Sequence, residues 1–309
     1  MYEVIIPARN AASTLELTLT SLKRQSMRPL TITVIDDGSE DGTAAIARAA
    51  GVRVLRTTGL GVALAQNLGL RHVTAPAVAF VDADDAWTSE AGERLNEALS
   101  SNAGLGAVSG AARTFDQDTP HKNILDECTS ARFGALVLDL VEPRDLWRRN
   151  VATKSATMFR TAMMRDLGGY RPLISGEDYD LLLRATSSGW RVGLAEEVIC
   201  WRMTSAGTMT ANSQRMLLGE LEALRSFHSS PFCSQELGRV NLRQREARAW
   251  LRALARDARF HGSLAESPPP PAMGRLAPSV QRWLASSPGD HLARSWKSFA
   301  NWRDGQRGL

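Results

Sequence analysis

The chain has 309 residues, 43% of them hydrophobic and 23% charged, which allows a full α/β core with an appendage. No apolar run approaches the roughly 20 residues that a membrane-spanning helix needs, and Met1–Pro7 lacks the basic and then long apolar pattern of a secretory signal, so a cytoplasmic protein is expected. The net charge of +4 is uneven: from Leu221 onwards 14 Lys/Arg stand against 7 Asp/Glu, which leaves −3 for the rest and points to an anionic partner or surface for the tail, with no nucleic acid bound along the chain.

Val4–Ile6 reads as a first strand, and a helix near Ser13–Arg24 places Leu15, Leu19 and Leu22 on one face, with Ser13 or Thr14 as its cap. Ile32–Ile35 and Val52–Leu55 read as the second and third strands, with a short helix over Ala44–Ala50 capped by Ser39 or Asp41. A helix over Val62–His72 and a strand over Val78–Val81 follow. Helices between short, nearly continuous apolar strands signal a mostly parallel sheet covered on both faces. In such sheets ligands bind beyond the carboxyl ends of the strands.

The next hundred residues are less regular. Ala107–Phe115 and Ser155–Arg160 read as strands, Asp178–Ser187 as a helix, and Val192–Met203 as one or two strands. Gln214–Arg225 and Arg239–Phe260 are helical patterns, and Pro268–Pro271 break the chain. The expected divisions are an α/β domain over 1–213, a helical segment over 214–262 and a Pro-rich basic tail over 263–309. The three cysteines (Cys128, Cys200, Cys233) form no CxxC pair and no zinc spacing, so reduced structural thiols are expected.

Three acidic features fall at the expected ligand edge. Asp36-Asp37-Gly38-Ser39 follows the second strand, Asp82-Ala83-Asp84-Asp85 follows the fourth, and Glu177-Asp178 opens a later helix. Each has a plainer reading: a turn, a solvated strand end before a helix cap at Thr88 or Ser89, and first-turn acids favouring the helix dipole. Two unit charges about 4 Å apart repel by roughly 4 kcal/mol at an effective dielectric near 20. Crowding Asp82, Asp84 and Asp85 at one strand end therefore calls for a cation, and oxygen-only ligands select Mg²⁺ or Mn²⁺.

The ordered set Val4–Asn10, Thr33–Thr43, Gly59–Gly69, Val81–Asp85 and Gly176–Leu181 resembles the family 2 glycosyltransferases, over about residues 1–210. That resemblance implies a GT-A fold, a Rossmann-like sheet sandwiched by helices, with a C-terminal helical extension here. It further implies inverting transfer of a sugar from a UDP- or GDP-activated donor. Pro7, Ala8, Arg9 and Asn10 would line the base and ribose pocket, and Asp37 would accept a hydrogen bond from the nucleobase. Gly61, Asn67 and Asp82 fall in the nucleotide-binding segments. Asp84 would hold the ribose or the metal, and Asp85 would ligate a metal bridging the two phosphates. Asp178, beside Glu177, would be the general base. Trp201-Arg202 stands where the family often has an aromatic-basic pair; the two would contact the diphosphate or the acceptor, or Trp201 would be a structural residue packed under the helix.

Other chemistries fit less well. A dinucleotide oxidoreductase needs GxGxxG after strand one, where Pro7-Ala8-Arg9-Asn10 stands, and no GxxxxGK[ST] exists for a P-loop enzyme. An aspartyl-phosphate phosphatase expects Thr or Val where Ala86 stands. A metal-dependent nucleotidyltransferase would carry a Gly-rich basic loop after strand one. A non-catalytic nucleotide-sugar module would have no use for Asp85 and Asp178. The acceptor is expected to be a glycan, a lipid-linked molecule or a small molecule. The seven arginines of Arg239–Phe260, with Trp250 among them, suit either a solvated helix or a peripheral contact at the inner membrane face.

Overall fold

The computed structural model describes residues 1–131, 133, 136–146, 150–173, 175–204, 213–228 and 230–231. The expected helix over Arg239–Phe260 and the tail lie outside these residues. By its contacts the chain divides into two compact units, Met1–Leu173 with Glu177–Ala211, and Ile174–Gly176 with Asn212–Leu309.

The first unit opens with β1 (Tyr2–Ala8), α1 (Leu15–Lys23), β2 (Ile32–Asp36), α2 (Thr43–Ala49), β3 (Arg53–Arg56), α3 (Val62–Arg71) and β4 (Ala77–Phe80). It continues with β5 (Ala86–Trp87), α4 (Ala91–Ser100), β6 (Leu105–Asp116), α5 (His121–Ser130), β7 (Leu138–Leu140) and α6 (Pro143–Leu146). A 3₁₀ turn (Lys154–Ala156), β8 (Thr157–Arg160), α7 (Thr161–Asp166), α8 (Glu177–Ser187) and β9 (Arg191–Thr204) complete it. Among the described residues of the second unit, α9 (Ser213–His228) is the long element. Its Gly219 lies against Ser175, where a side chain's Cβ would come within 2.4 Å of the Ser175 Cβ.

The strands run in the order β3-β2-β1-β4-β8-β6-β9-β5, with β7 also on β9. As expected from the apolar runs, β1, β2, β3 and β4 pair in parallel, and β1, between β2 and β4, is buried throughout. Even its charged residue is satisfied: Glu3 accepts hydrogen bonds from the Thr74 and Ala75 N–H groups at 2.7 and 2.9 Å and from the Thr74 hydroxyl at 2.9 Å. A buried carboxylate is tolerable on such terms.

Beyond β4 the sheet is mixed. β8 pairs antiparallel with both β4 and β6, and β6 pairs parallel with β9. Two antiparallel steps restore the original direction, so the carboxyl ends of β6 and β9 share an edge with those of β1, β2 and β4. Val192–Met203 forms the single strand β9, whose pairing with β6 shifts register near Ser109–Ala112. Cys128 and Cys200 are free and buried, in line with structural thiols.

α8 is held by a buried ion pair. Arg184 and Asp180 are both fully buried, with Arg184 Nε 2.8 Å from Asp180 Oδ2. The same guanidinium donates to the carbonyls of Leu167 and Gly169 at 2.7 and 2.9 Å, and Arg171 approaches Asp180 Oδ1 at 3.1 Å. Removing one partner of a buried pair strands the other charge. Arg184→Met is therefore expected to destabilise the protein by about 3 kcal/mol, the low end for such losses because Arg171 remains. Chemical denaturation with a constant m-value would measure it.

Candidate active site

The carboxyl end of β2 carries Asp36 and Asp37, which have different jobs. Asp36 is fully buried; its Oδ1 accepts from the Ser39 N–H at 3.0 Å and its Oδ2 lies 3.2 Å from Arg56 Nε. It shapes the turn. Gly38 at φ +77° completes that turn, because L side chains rarely adopt this backbone conformation. Asp37 faces the β3–α3 loop, accepting from the Leu60 N–H at 2.7 Å, the Gly61 N–H at 2.8 Å and the Thr57 hydroxyl. Burial opposes its charge, but these donors and the nearby Arg9 outweigh it and hold the carboxyl below its usual range.

Pro7 and Ala8 are buried at the end of β1, while Arg9 and Asn10 are exposed beyond it. A side chain at Gly59 would meet the Arg9 guanidinium at 3.6 Å, so Arg9 lies beside the loop that Asp37 holds. Asn10 sits at φ 51°, a left-handed conformation that Asn tolerates better than most residues. It binds the β2 turn in both directions: its N–H donates to Ser39 Oγ at 3.0 Å and its Oδ1 accepts from the Glu40 N–H at 2.9 Å. Asn67 stands apart from these residues. Its amide donates to the Tyr170 carbonyl at 2.7 Å and accepts from the Tyr170 N–H at 2.9 Å, fastening the middle of α3 to that residue.

The second acidic segment follows β4. Asp82 Oδ1 lies 3.0 Å from Lys154 Nζ, and the Asp82 N–H donates to Ser155 Oγ at 3.1 Å. The register explains the meeting. β8 runs antiparallel to β4 with Ala79 opposite Met158, so the residues just before β8 arrive beside those just after β4. Asp84 is half-buried; burial, then the charge of Asp82, pushes its pKa up to about 6. Asp85 is buried, with Oδ1 accepting from the Met203 N–H at 3.2 Å. Its Oδ2 has no hydrogen-bond partner, and Arg202 Nε stands 3.9 Å away. Burial, then Asp82 and Asp84, drives this carboxyl well above the usual carboxylate range.

The residues present fit a divalent cation. The buried Asp85 Oδ2, without a hydrogen-bond partner among the described residues and with only the distant Arg202 charge to offset Asp82 and Asp84, is an electrostatic arrangement that a hard cation would relieve, and the donors are all oxygen. Among the described residues no three His, Cys, Asp or Glu side chains gather into a metal site on their own. The remaining ligands would come from water and from phosphate oxygens, the usual company of Mg²⁺.

The third acidic segment joins the second. Glu177, buried at the start of α8, places Oε1 3.2 Å from the same Lys154 Nζ that holds Asp82. One ammonium thus bridges carboxylates 95 positions apart. Burial works against the Lys154 charge, but Asp82 and Glu177 outweigh it and hold the ammonium above the usual lysine range. Asp178 follows, half-buried, accepting from Asn150 Nδ2 at 3.1 Å and from the Tyr179 N–H at 2.8 Å. Burial first and the Glu177 charge second push its pKa to about 6, against the pull of Lys154. An unperturbed aspartate titrates near 3.9; the surroundings that change this are set by the fold.

The expected pair at the end of β9 splits. Arg202 faces Asp85, whereas Trp201 packs with a small apolar cluster around Leu17, Phe115 and Ile124, under the guanidinium of Arg113 at 5.8 Å. Alternation along a strand separates neighbours in this way. Lys154, Tyr170, Ser155 and Asn150 were not anticipated. Tyr170 is buried against Phe80, with ring centroids 5.0 Å apart, and its hydroxyl has no hydrogen-bond partner. The available signal was Lys154 itself, a lysine abutting an apolar strand in a chain with few lysines.

Comparison with known proteins identifies the fold and the family. The uncharacterized glycosyltransferase YibD of Escherichia coli is 39% identical over 87 residues, which span 26% of this chain and 25% of YibD. Among solved structures, Staphylococcus aureus TarS 1–349 in complex with UDP-GlcNAc superposes with a TM-score of 0.67 at 16% identity, covering 98% of this chain and 92% of that one. The mannosyltransferase PcManGT of Pyrobaculum calidifontis, in complex with GDP-Man and Mn²⁺, gives 0.62 at 20% identity, with coverages of 97% and 86%. Both share the GT-A architecture of β1–β9 and its helices. The family model for glycosyl transferase family 2 matches residues 3–165, a span that holds the turn after β2, the acidic loop after β4 and Lys154; the chain belongs to that family.

Proposed function

We propose that the chain is an inverting glycosyltransferase moving a sugar from a UDP- or GDP-activated donor to an acceptor hydroxyl with the help of Mg²⁺ or Mn²⁺. The observation that carries this reading is the convergence of Asp82 and Glu177 on one ammonium, which brings the acidic loop after β4 and the first turn of α8 to one edge of the sheet. The donors held by the two structural neighbours, a UDP-sugar and a GDP-sugar, add support. The family match ends at residue 165, so the roles of Glu177 and Asp178 rest on geometry and on the resemblance of their motif.

In this reading the loops after β1 and β2 take the nucleoside. Asp37 would offer its remaining lone pair to the base while keeping the 57–61 loop in place, with Pro7, Ala8, Arg9 and Asn10 around the base and ribose. Asp84 would hold the ribose or the cation and Asp85 the cation, with Arg202 turned to the diphosphate. The bound cation would neutralise charge on the departing diphosphate. Asp178 then takes the proton from the acceptor hydroxyl as that oxygen bonds to the anomeric carbon. The bond to the diphosphate oxygen breaks with its electron pair, and the nucleoside diphosphate leaves. Attack opposite the leaving group inverts the anomeric configuration. A glycan, a lipid-linked molecule or a small molecule can supply the hydroxyl.

Thermal-shift screening with nucleotide sugars and Mn²⁺, followed by transfer and hydrolysis assays, tests the reading. A donor present at 100 times its Kd is expected to stabilise the fold by about 2.7 kcal/mol. That stabilisation should need the metal, and the same donor should be consumed. A chain that no UDP- or GDP-sugar stabilises with Mn²⁺ or Mg²⁺ would refute donor binding. Tight binding without turnover would leave a non-catalytic module.

A further inference from the structure

We propose that Lys154 is a positioning residue for transfer: its ammonium clamps Asp82 to Glu177 and so fixes the spacing between the donor-side acids and the base on α8. The inference rests on the reading of Asp178 given above and adds a residue to which that reading assigns nothing.

The backbone of Lys154 belongs to the donor side. Ser155 accepts from the Asp82 N–H through Oγ at 3.1 Å and from Trp87 Nε1 through its carbonyl at 2.5 Å, and the Thr157 hydroxyl donates to the Thr153 carbonyl at 2.7 Å. The first two bonds fasten the 3₁₀ turn to the segment that carries Asp82–Asp85, and the third closes the turn on itself. The tip of the side chain belongs to the other side, 3.2 Å from Glu177 Oε1 and 3.0 Å from Asp82 Oδ1. The side chain is 11% exposed and that of Glu177 5%. Lysine is almost never buried unless paired, and here one cation serves two carboxylates with a third, Asp178, nearby.

A compact ammonium with three rotatable donors suits this bridge, whereas the planar fork of arginine favours a single bidentate partner. Without the cation, Asp82, Glu177 and Asp178 would repel one another across the gap, and α8 would lose its tether to the donor loop. Among the described residues, the groups that face Asp178 are Glu177 on its own helix, Lys154 from the 3₁₀ turn, Asn150 and the buried Tyr170. Lys154 alone among them is a cation, and it pulls the Asp178 pKa down.

The test compares Lys154→Met and Lys154→Arg with the wild type in the full chain. It reads UDP and GDP affinity with Mn²⁺ by calorimetry, kcat and KM with the donor found above, and the pH profile of kcat. Lys154→Met is expected to lower kcat by roughly 10–100-fold, the usual loss when a partner that orients an active group is removed. Nucleotide affinity should change far less, and the acid limb of the profile should move to higher pH. Lys154→Arg should keep the limb in place and recover part of kcat. If Lys154→Met keeps wild-type kcat and an unmoved limb, the proposal is overturned. Parallel losses of nucleotide affinity, melting temperature and kcat with an unmoved limb would overturn it too, in favour of a structural role. Should Lys154→Met not fold, Lys154→Arg decides: wild-type kcat in that variant refutes the clamp. Asp178→Asn, measured alongside, keeps the two ideas separable. If it retains transfer, the base assignment fails; if it loses transfer while Lys154→Met does not, the clamp alone fails.

Discussion

Asp178→Asn is expected to lower kcat by about 10²–10⁴, the usual contribution of a positioned proton acceptor, and to leave nucleotide affinity nearly unchanged. Asparagine preserves the shape of the side chain and its amide oxygen can still accept from the Tyr179 N–H, so α8 should keep its first turn, while the end that faces Asn150 Nδ2 changes from an acceptor to a donor. What it loses is the capacity to take a proton. The wild-type pH profile carries a second part of the same expectation. A base works only when ionised, and burial with Glu177 has brought Asp178 up to about 6. Transfer should therefore fall as the pH drops through about 6 and level off above it. An ordinary carboxylate would place that limb near 4. Retention of near wild-type transfer by the purified variant would sink the assignment.

Replacing Asp85 should act at the other end of the reaction. Asp85→Asn is expected to weaken metal-dependent nucleotide binding by about 100-fold, at the top of the range for loss of a mere supporting partner, and to leave metal-free binding little changed. Calorimetry with and without Mn²⁺ separates the two. The same substitution should not destabilise the metal-free fold. Asp85 is raised well above its unfolded value, so ionising it in the folded state is unfavourable. Its favourable contribution exists only at low pH and is lost as pH rises through the raised value. Asparagine can keep the bond from the Met203 N–H without that burden, so at neutral pH the metal-free variant should melt at or above the wild type. A lower melting temperature together with unchanged Mn²⁺ dependence would mean that Asp85 is a packing residue and that the cation sits elsewhere.

These two expectations share an electrostatic logic. In the ligand-free protein the carboxyls after β4 carry more like charge than their surroundings relieve, with Lys154 spent on Asp82 and Glu177, and Arg202 3.9 Å from Asp85. Sites tuned for a transition state often store such strain. The buried pair Asp180–Arg184 is the opposite case. Its charges balance, its remaining donors are satisfied by the Leu167 and Gly169 carbonyls, and its consequence is an α8 anchored to the segment before it.

The parallel half of the sheet was legible from residue order alone. Val4–Ile6, Ile32–Ile35 and Val78–Val81 are apolar because both faces of those strands are covered, and a run of that kind needs no partner to identify it. The first two acidic segments were legible for a related reason: they stand directly after buried strands, at the edge where such sheets bind ligands. In the second half the signal weakens. Ala107–Phe115 and Val192–Met203 read as strands, but their directions and their bulged pairing depend on neighbours far away in the chain. The burial that lifts Asp178 to about 6, and the Tyr170 backbone that occupies Asn67, were not visible either.

Local pattern by itself determined the α/β class, the strand ends that carry Asp37 and Asp82–Asp85 and the helix start that carries Glu177-Asp178, and the resemblance of those segments supplied the family. The reason is that strand periodicity, turn chemistry and clustered charge are properties of near neighbours. Tertiary structure alone decided that Lys154 joins Asp82 to Glu177, because that meeting follows from the antiparallel register of β8 on β4, which no stretch of residues encodes by itself.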